Sequence, residues 1–328
     1  MDDEGGGMSK ADIIKQHLKD YQHLETKTIA RIILHNFGSF FDGDIEKIRR
    51  HLRYYRGTSG QYNREQATEI IPRSKTAMPL THRRVKKPYH LSPGLWLVVN
   101  DPHIPFHEQL PIESMVTYAQ VKKVTGILYN GDLQDCASIS YWSSSIKRDF
   151  DAETSATIQF LDFMRYEFPK AEFVYKPANH EYRLPRLLQN MTPQLIGVPL
   201  AILETRLGLE QRGIELLEYK QTVMAGKLPI LHGDEYRNLS RAVNPARGLY
   251  LRAKSWAACG HCHSTSENTE VDINGVYLTT WSFGCLCDLH PDFEPLSKWN
   301  WGFAIVNVEK NGDFTVVNKR ILPSGEVV

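Results

Sequence analysis

Apolar residues between Ala11 and Tyr55 recur at spacings of three and four: Ile13, Ile14 and Leu18, then Ile29, Ile32 and Ile33, then Ile45, Ile48 and Leu52. That is the period of one face of an α-helix, and it predicts three amphipathic helices. The second starts after Thr26 or Thr28. The third follows Asp42-Gly43-Asp44, where a turn residue precedes an N-cap acid. Residues 57–90 lose the pattern and hold Gly57, Gly60, Pro72, Pro79 and Pro88, the composition of a linker. Beyond it, short apolar runs end abruptly in polar residues: 95–99 before Asn100-Asp101, and 126–129 before Asn130-Gly131-Asp132. Both read as buried strands feeding loops. Helices are expected at about 111–124 and 152–168, with a strand at 172–175 between the second helix and the rest. Later strand-like segments fall at 228–231, 255–258, 276–281, 304–308 and 314–317. Strand and helix alternate and then give way mainly to sheet, so the chain reads as a small all-α domain (1–60), a linker (61–90) and an α/β domain (91–328).

Composition narrows this further. The 328 residues are 41% hydrophobic and 23% charged, and no run approaches the eighteen apolar residues of a membrane span. The start, MDDEGGGMSK, has neither the basic residues nor the apolar stretch of a secretory signal, and five cysteines do not suggest a disulfide framework. A cytoplasmic location is expected. Charge is uneven: residues 1–90 carry 17 Lys or Arg against 11 acids, and residues 91–328 carry 22 against 27. A basic front end suggests nucleic acid, DNA first, as its partner, although a solvated basic face needs no partner at all. Three short helices resemble a helix-turn-helix module, with an ordinary three-helix bundle as the alternative. The third presents Lys47, Arg49, Arg50, Arg53 and Arg56 beside Tyr54 and Tyr55. Of these, Lys47, Arg50, Arg53 and Tyr54 are candidate phosphate and base contacts.

The chemistry sits just past the apolar runs: Asp101-Pro-His103, Gly131-Asp132-Leu-Gln-Asp135, Asn179-His180-Glu181, His232, and Gly260-His261-Cys262-His263. Oxygen and imidazole nitrogen together suit manganese, iron or zinc, and a carboxylate between two cations can bridge them. Two cations about 3.5–4 Å apart serve in-line displacement at phosphorus. The succession DxH, GDxxD, NHE, His and GHxH resembles the calcineurin-like metallophosphoesterase superfamily over residues 101–263. That resemblance implies a four-layer αββα sandwich across about 91–328 and two divalent metal ions, manganese first, with iron, zinc or nickel as alternatives. It implies one metal on Asp101, His103 and His263, a second on Asn179, His232 and His261, and Asp132 as the bridge. His180 would then be the catalytic histidine with Asp135 orienting its ring. The chain departs from the family's pattern at Ala178, where glycine is usual. The basic front, the Arg53–Gly57 segment and the long loop after Gly131 are similar to members encoded by bacteriophages and prophages.

Position alone adds Arg183, one helical turn past His180, as a clamp for a phosphate oxygen. Tyr141, Trp142, Lys147 and Arg148 are candidates for stacking near the metals, and Asp234 and Arg237 for supporting His232. A rival for His261 and His263 is a structural zinc site completed by cysteines such as Cys285 and Cys287. The expected function is phosphate-ester hydrolysis, with nucleic acid as the leading substrate, a phosphomonoester second, and an inactive DNA-binding scaffold third.

Overall fold

The computed structural model describes residues 8–57, 86–140, 149–191, 198–239 and 243–328. They fall into two compact units, divided after Arg83. In the first, α1 (Lys10–Asp20), α2 (Thr26–Phe37) and α3 (Ile45–Arg56) pack together, with a 3₁₀ turn at Gly38–Phe41 leading from α2. Ser9 and Asp12 form a capping box on α1, and the Asp44 carboxylate accepts from the amides of Glu46 and Lys47 at the start of α3. Ile13, Ile14, Leu18, Ile29, Ile33, Ile48 and Leu52 are all 2% exposed or less, so the helical period maps directly onto the core. On α3, Lys47 pairs with Asp42 at 2.8 Å, Arg53 with Glu46 at 3.4 Å, and Arg49 also with Glu46. Arg56 turns inward and donates to the carbonyls of Leu24 (2.6 Å) and Gln22 (2.8 Å). Arg50 and Tyr54 remain exposed.

Most of the expected linker lies outside the described residues, but 86–90 belong to the second unit. Tyr89–His90 form β1, paired in parallel with residues 223 and 224, and the Lys86 ammonium reaches the Tyr219 carbonyl. This α/β unit therefore begins before residue 91. Its elements follow as β2 (Gly94–Val99), α4 (Gln109–Lys122), β3 (Gly126–Tyr129), α5 (Phe150–Glu167), β4 (Glu172–Tyr175), α6 (Arg183–Met191) and α7 (Val198–Leu207). Then come β5 (Ile214–Leu216), β6 (Val223–Ala225), β7 (Leu228–Leu231), α8 (Pro245–Ala253), β8 (Ala257–Cys259), β9 (Ser266–Val271), β10 (Tyr277–Ser282), β11 (Gly302–Val308) and β12 (Phe314–Arg320).

Two six-stranded mixed sheets result, ordered β12-β11-β2-β3-β4-β5 and β1-β6-β7-β8-β10-β9. Period-two alternation decides what each face touches. Leu97 and Val99 of β2 face outward onto α4, α5 and α7, joining Met115, Leu161, Met164, Leu203 and Leu207. Trp96 and Val98 face inward and meet Val223, Ile230, Ala258 and Trp281 of the second sheet. The far side of that sheet buries Ala257 and Cys259 against Leu249 of α8. The order helix, sheet, sheet, helix is the expected four-layer αββα sandwich. No helix among the described residues is long and apolar enough to cross a membrane.

Candidate metal centre

Strands β2, β3 and β4 are parallel neighbours in one sheet, and β7 and β8 in the other. Loops leaving the C-terminal ends of these five strands carry every residue that the motifs singled out as a ligand. Crevices beyond such strand ends are where open α/β sheets bind ligands. The loops turn sharply. Asp101, His103, Asp132, His261 and His263 all have φ between 49° and 63°, a left-handed region that costs a non-glycine residue about 1–3 kcal/mol and persists only where the surroundings enforce it. Two glycines make the close approach possible. A Cβ on Gly131 would stand 2.4 Å from the Ala178 Cβ and 2.5 Å from His232 Nδ1. One on Gly260 would stand 2.7 Å from Asp101 Oδ2, the atom that accepts the His261 amide at 2.9 Å. Small Ala178 is thus tolerated because Gly131 faces it.

The donor atoms converge. Asp132 belongs to two clusters of ligand atoms, one with His103 and His180 and one with His232 and His261, each spanning no more than 4.8 Å. Its Oδ2 lies 3.2 Å from His232 Nε2 and 3.9 Å from His103 Nε2. Asp101 Oδ1 is 3.4 Å from His263 Nε2 and 3.8 Å from His232 Nε2, and the Nε2 atoms of His103 and His263 face each other at 3.2 Å. Asp101 Oδ1, Asn179 Oδ1 and His232 Nε2 are buried without a hydrogen-bond partner. Buried polar atoms left in that state are costly, and cations between them would relieve the cost. The residues present therefore fit a pair of divalent cations, which Asp132, common to two donor clusters, is placed to share.

Electrostatics divide the four histidines among the candidate ligands into two pairs. Burial alone would push the carboxyls of Asp101 and Asp132 up, but the facing histidines reverse this. His263 and His232 hold Asp101 below the ordinary carboxylate value, and His180 and His232 hold Asp132 well below it. Burial, with His180 nearby, lowers His103, and burial with His232 lowers His261 to about 4. For His232 and His263 burial is outweighed: Asp132 and Asp101 raise His232 well above the ordinary value and Asp101 raises His263 to about 9, so a cation binding there displaces protons. For His180, burial opposes the charged form, but Asp132 and Asp135 outweigh it and raise the group above its ordinary value.

A surrounding set of residues fixes these rings. Asp135 Oδ1 lies 2.8 Å from His103 Nδ1 and 2.9 Å from His180 Nδ1, and the Asp135 backbone carbonyl lies 2.8 Å from His180 Nδ1, so this one residue orients two rings by their Nδ1 sides. The motifs assigned it only to His180. Arg183 donates to the Asp135 carbonyl at 2.9 Å and stands 3.0 Å from His180 Nε2. Fully buried Glu181 had no expected role. It accepts from the amides of Asp132, Leu133, Gln134 and Ala178 and from the Tyr175 hydroxyl, tying the loop after β3 to the loop after β4. Asn130 Nδ2 donates to Asn100 Oδ1 (2.9 Å) and to the Leu231 carbonyl (2.8 Å), pinning the two sheets together beside the site. His232 points its Nδ1 at the Asn130 carbonyl, 2.8 Å away.

The loop carrying His232 is held by Glu235, which accepts from the amides of His232 and Gly233 and pairs at 2.5 Å with fully buried Lys176. Asp234, by contrast, accepts from the Tyr219 hydroxyl at 2.6 Å, and Arg237 is exposed. The zinc alternative does not form among the described residues. Of the expected set, only His263 and Cys287 share a donor cluster, and its third member is His103 rather than His261 or Cys285. Tyr141, Trp142, Lys147 and Arg148 lie outside the described residues.

No family model and no curated protein matches the chain. Among solved structures it is similar to vacuolar protein sorting 29 from Cryptosporidium parvum, with 12% identity, coverage of 70% of this chain and 99% of that one, and a TM-score of 0.32. YfcE, a phosphoesterase from E. coli, gives 10%, 68%, 98% and 0.30 on the same measures. Vps29 of Chaetomium thermophilum gives 13%, 69%, 95% and 0.30. Likeness this loose transfers no residue roles, so the chemistry must come from the site itself.

Proposed function

We propose that this chain is a two-metal phosphoesterase whose substrate is a phosphodiester, with nucleic acid the leading class. The observation that carries the reading is the convergence of Asp101, His103, Asp132, His232, His261 and His263 from four strand ends, with Asp132 common to two donor clusters and Asn179 Oδ1 buried without a partner on the loop of a fifth. A manganese pair held there, or iron, zinc or nickel in its place, would supply positive charge to both the attacking and the leaving oxygen at phosphorus. His180 is the catalytic histidine. Asp135 holds its Nδ1 side, which leaves Nε2 to give a proton to the departing oxygen once a phosphate draws Arg183 off it. Arg183 lies close enough to His180 for one phosphate group to meet both. Support for nucleic acid is electrostatic: residues 46–90 hold 12 Lys or Arg against 3 acids. Lys47, Arg50, Arg53 and Tyr54 of α3 are the proposed contacts; binding requires Lys47 and Arg53 to exchange Asp42 and Glu46 for phosphates.

Hydrolysis of bis-p-nitrophenyl phosphate, p-nitrophenyl phosphate and labelled single- and double-stranded DNA with added manganese tests the reading. Cleavage of the diester and of DNA, lost in Asp132→Ala, is expected. Cleavage of the monoester alone would replace the substrate class, and no cleavage at all would leave the scaffold reading.

A further inference from the structure

Between β10 and β11 a long loop is fastened to the metal centre at both ends. The Leu286 amide donates to the Asp101 carbonyl at 3.2 Å, and the Asn300 amide to the His263 carbonyl at 2.9 Å. Inside these anchors the chain keeps its own turns: Glu294 bonds back to Pro291, Ser297 to Glu294, and the His290 amide to the Asp288 carboxylate. The half-buried Trp299 ring stands edge-to-face on the His263 ring, centroids 4.3 Å apart. Phe293 stands edge-to-face on Trp299 at 6.2 Å. Yet Phe293 is 80% exposed, and Leu296 beside it 91%.

A single exposed apolar residue needs no explanation. Here, however, the exposed ring is the outer step of a ladder that starts on a proposed metal ligand and leads to solvent: His263, Trp299, Phe293. Aromatic faces beside a phosphate site suit a planar heterocycle, since each base has a π-face that stacks on them. Charge on the loop narrows the occupant. Asp288, Asp292 and Glu294 outnumber Lys298, so a strand continuing across the loop would bring its phosphates against acids. A nucleoside with no further phosphate beyond it meets no such penalty.

Given the phosphodiesterase reading, on which this rests, we propose that Trp299 and Phe293 form a subsite for the terminal nucleobase of the substrate, whose scissile phosphate lies at the metal centre. The enzyme then acts at ends or on short nucleotides rather than in the middle of a strand.

The test compares kcat/KM, with manganese, for the p-nitrophenyl ester of thymidine 5′-monophosphate and for methyl p-nitrophenyl phosphate. In Phe293→Ala the preference for the thymidine ester is expected to fall about tenfold, and in Phe293→Trp to recover, because stacking tolerates any aromatic ring. An unchanged preference in Phe293→Ala overturns the subsite. Thymidine 5′-monophosphate titrated calorimetrically into the manganese-loaded proteins gives a readout independent of turnover. A Kd about tenfold weaker in Phe293→Ala is expected, and an equal Kd overturns the subsite even if neither ester is cleaved. Failure to cleave with the Kd difference intact counts against the phosphoesterase reading instead.

Discussion

The three-helix unit and the sandwich treat their charged residues in opposite ways. In the helical unit the core is apolar and the charges of α3 lie at its surface, paired locally with Asp42 and Glu46 or exposed like Arg50, while Arg56 bonds to the carbonyls of Gln22 and Leu24. In the sandwich, Asp101, Asp132, Lys176, Glu181 and His232 are at most 1% exposed. Solvated charges cost little and therefore say little about function. Buried ones are expensive unless every group is paired or meets a cation, so a cluster of them implies a use. The helical unit shows its architecture plainly and its purpose hardly at all, while in the sandwich the candidate metal centre stands out as the place where polar groups are buried against the ordinary preference.

Substitutions of equal chemical size should separate the two regions, and the largest difference is expected at His180, the proposed catalytic histidine. His180→Ala is expected to lower kcat for bis-p-nitrophenyl phosphate by about a hundredfold or more, the range of a lost general acid, while bound manganese measured by elemental analysis stays as in the wild type. Loss of metal with the activity would move His180 from catalyst to ligand.

Next comes the buried pair beneath His232. Glu235→Gln strands Lys176 in the interior and should cost about 3–5 kcal/mol in urea unfolding, whereas Asp42→Asn on the helical unit should leave unfolding unchanged. The same pair gives a pH signature. Burial alone would raise the Glu235 carboxyl, but Lys176 lowers it from 4.5 to about 2. A group depressed in the folded state contributes stability above its unfolded pKa and loses it as pH falls through the folded one. Wild-type stability should therefore decline between about pH 4.5 and 2 more steeply than that of Glu235→Gln. Parallel curves would show that the pair does not titrate with unfolding.

A smaller effect is expected from the residues that orient ligands without touching metal. Asp135→Asn and Glu181→Gln should each weaken manganese binding by about 10–100-fold in calorimetry. Asp135→Asn should also lower kcat, since the same carboxylate holds His180. Smallest of all is the effect expected at the proposed DNA contacts of the helical unit: Arg50→Ala should reduce the slope of log Kobs against log salt for DNA binding by about 1. An unchanged slope would remove Arg50 from the proposed contacts.

Legibility in the sequence followed locality. The three helices were readable because each apolar stripe is complete within a dozen residues, as at Ile45, Ile48 and Leu52. The ligand motifs were readable because strand ends keep Asp101 and His103, or His261 and His263, side by side. What the sequence hid depends on distant partners. Glu235 meets Lys176 across 59 positions, and Asp135 meets His103 across 32. Edge strand β9, Ser-Glu-Asn-Thr-Glu-Val, alternates half-buried and exposed positions without the apolar residues that announce a strand. Two-residue β1 exists only because β6 pairs with it, inside a stretch whose glycines and prolines read as linker. Trp299 gave no signal, because nothing local shows that its loop returns to His263.

The most direct measurement is the number of manganese ions bound per chain, counted by elemental analysis after loading and removal of free metal. Two ions in the wild type and at most one in Asp132→Ala are expected from a centre in which one carboxylate serves both sites. A single ion in the wild type, or two retained without Asp132, would contradict it.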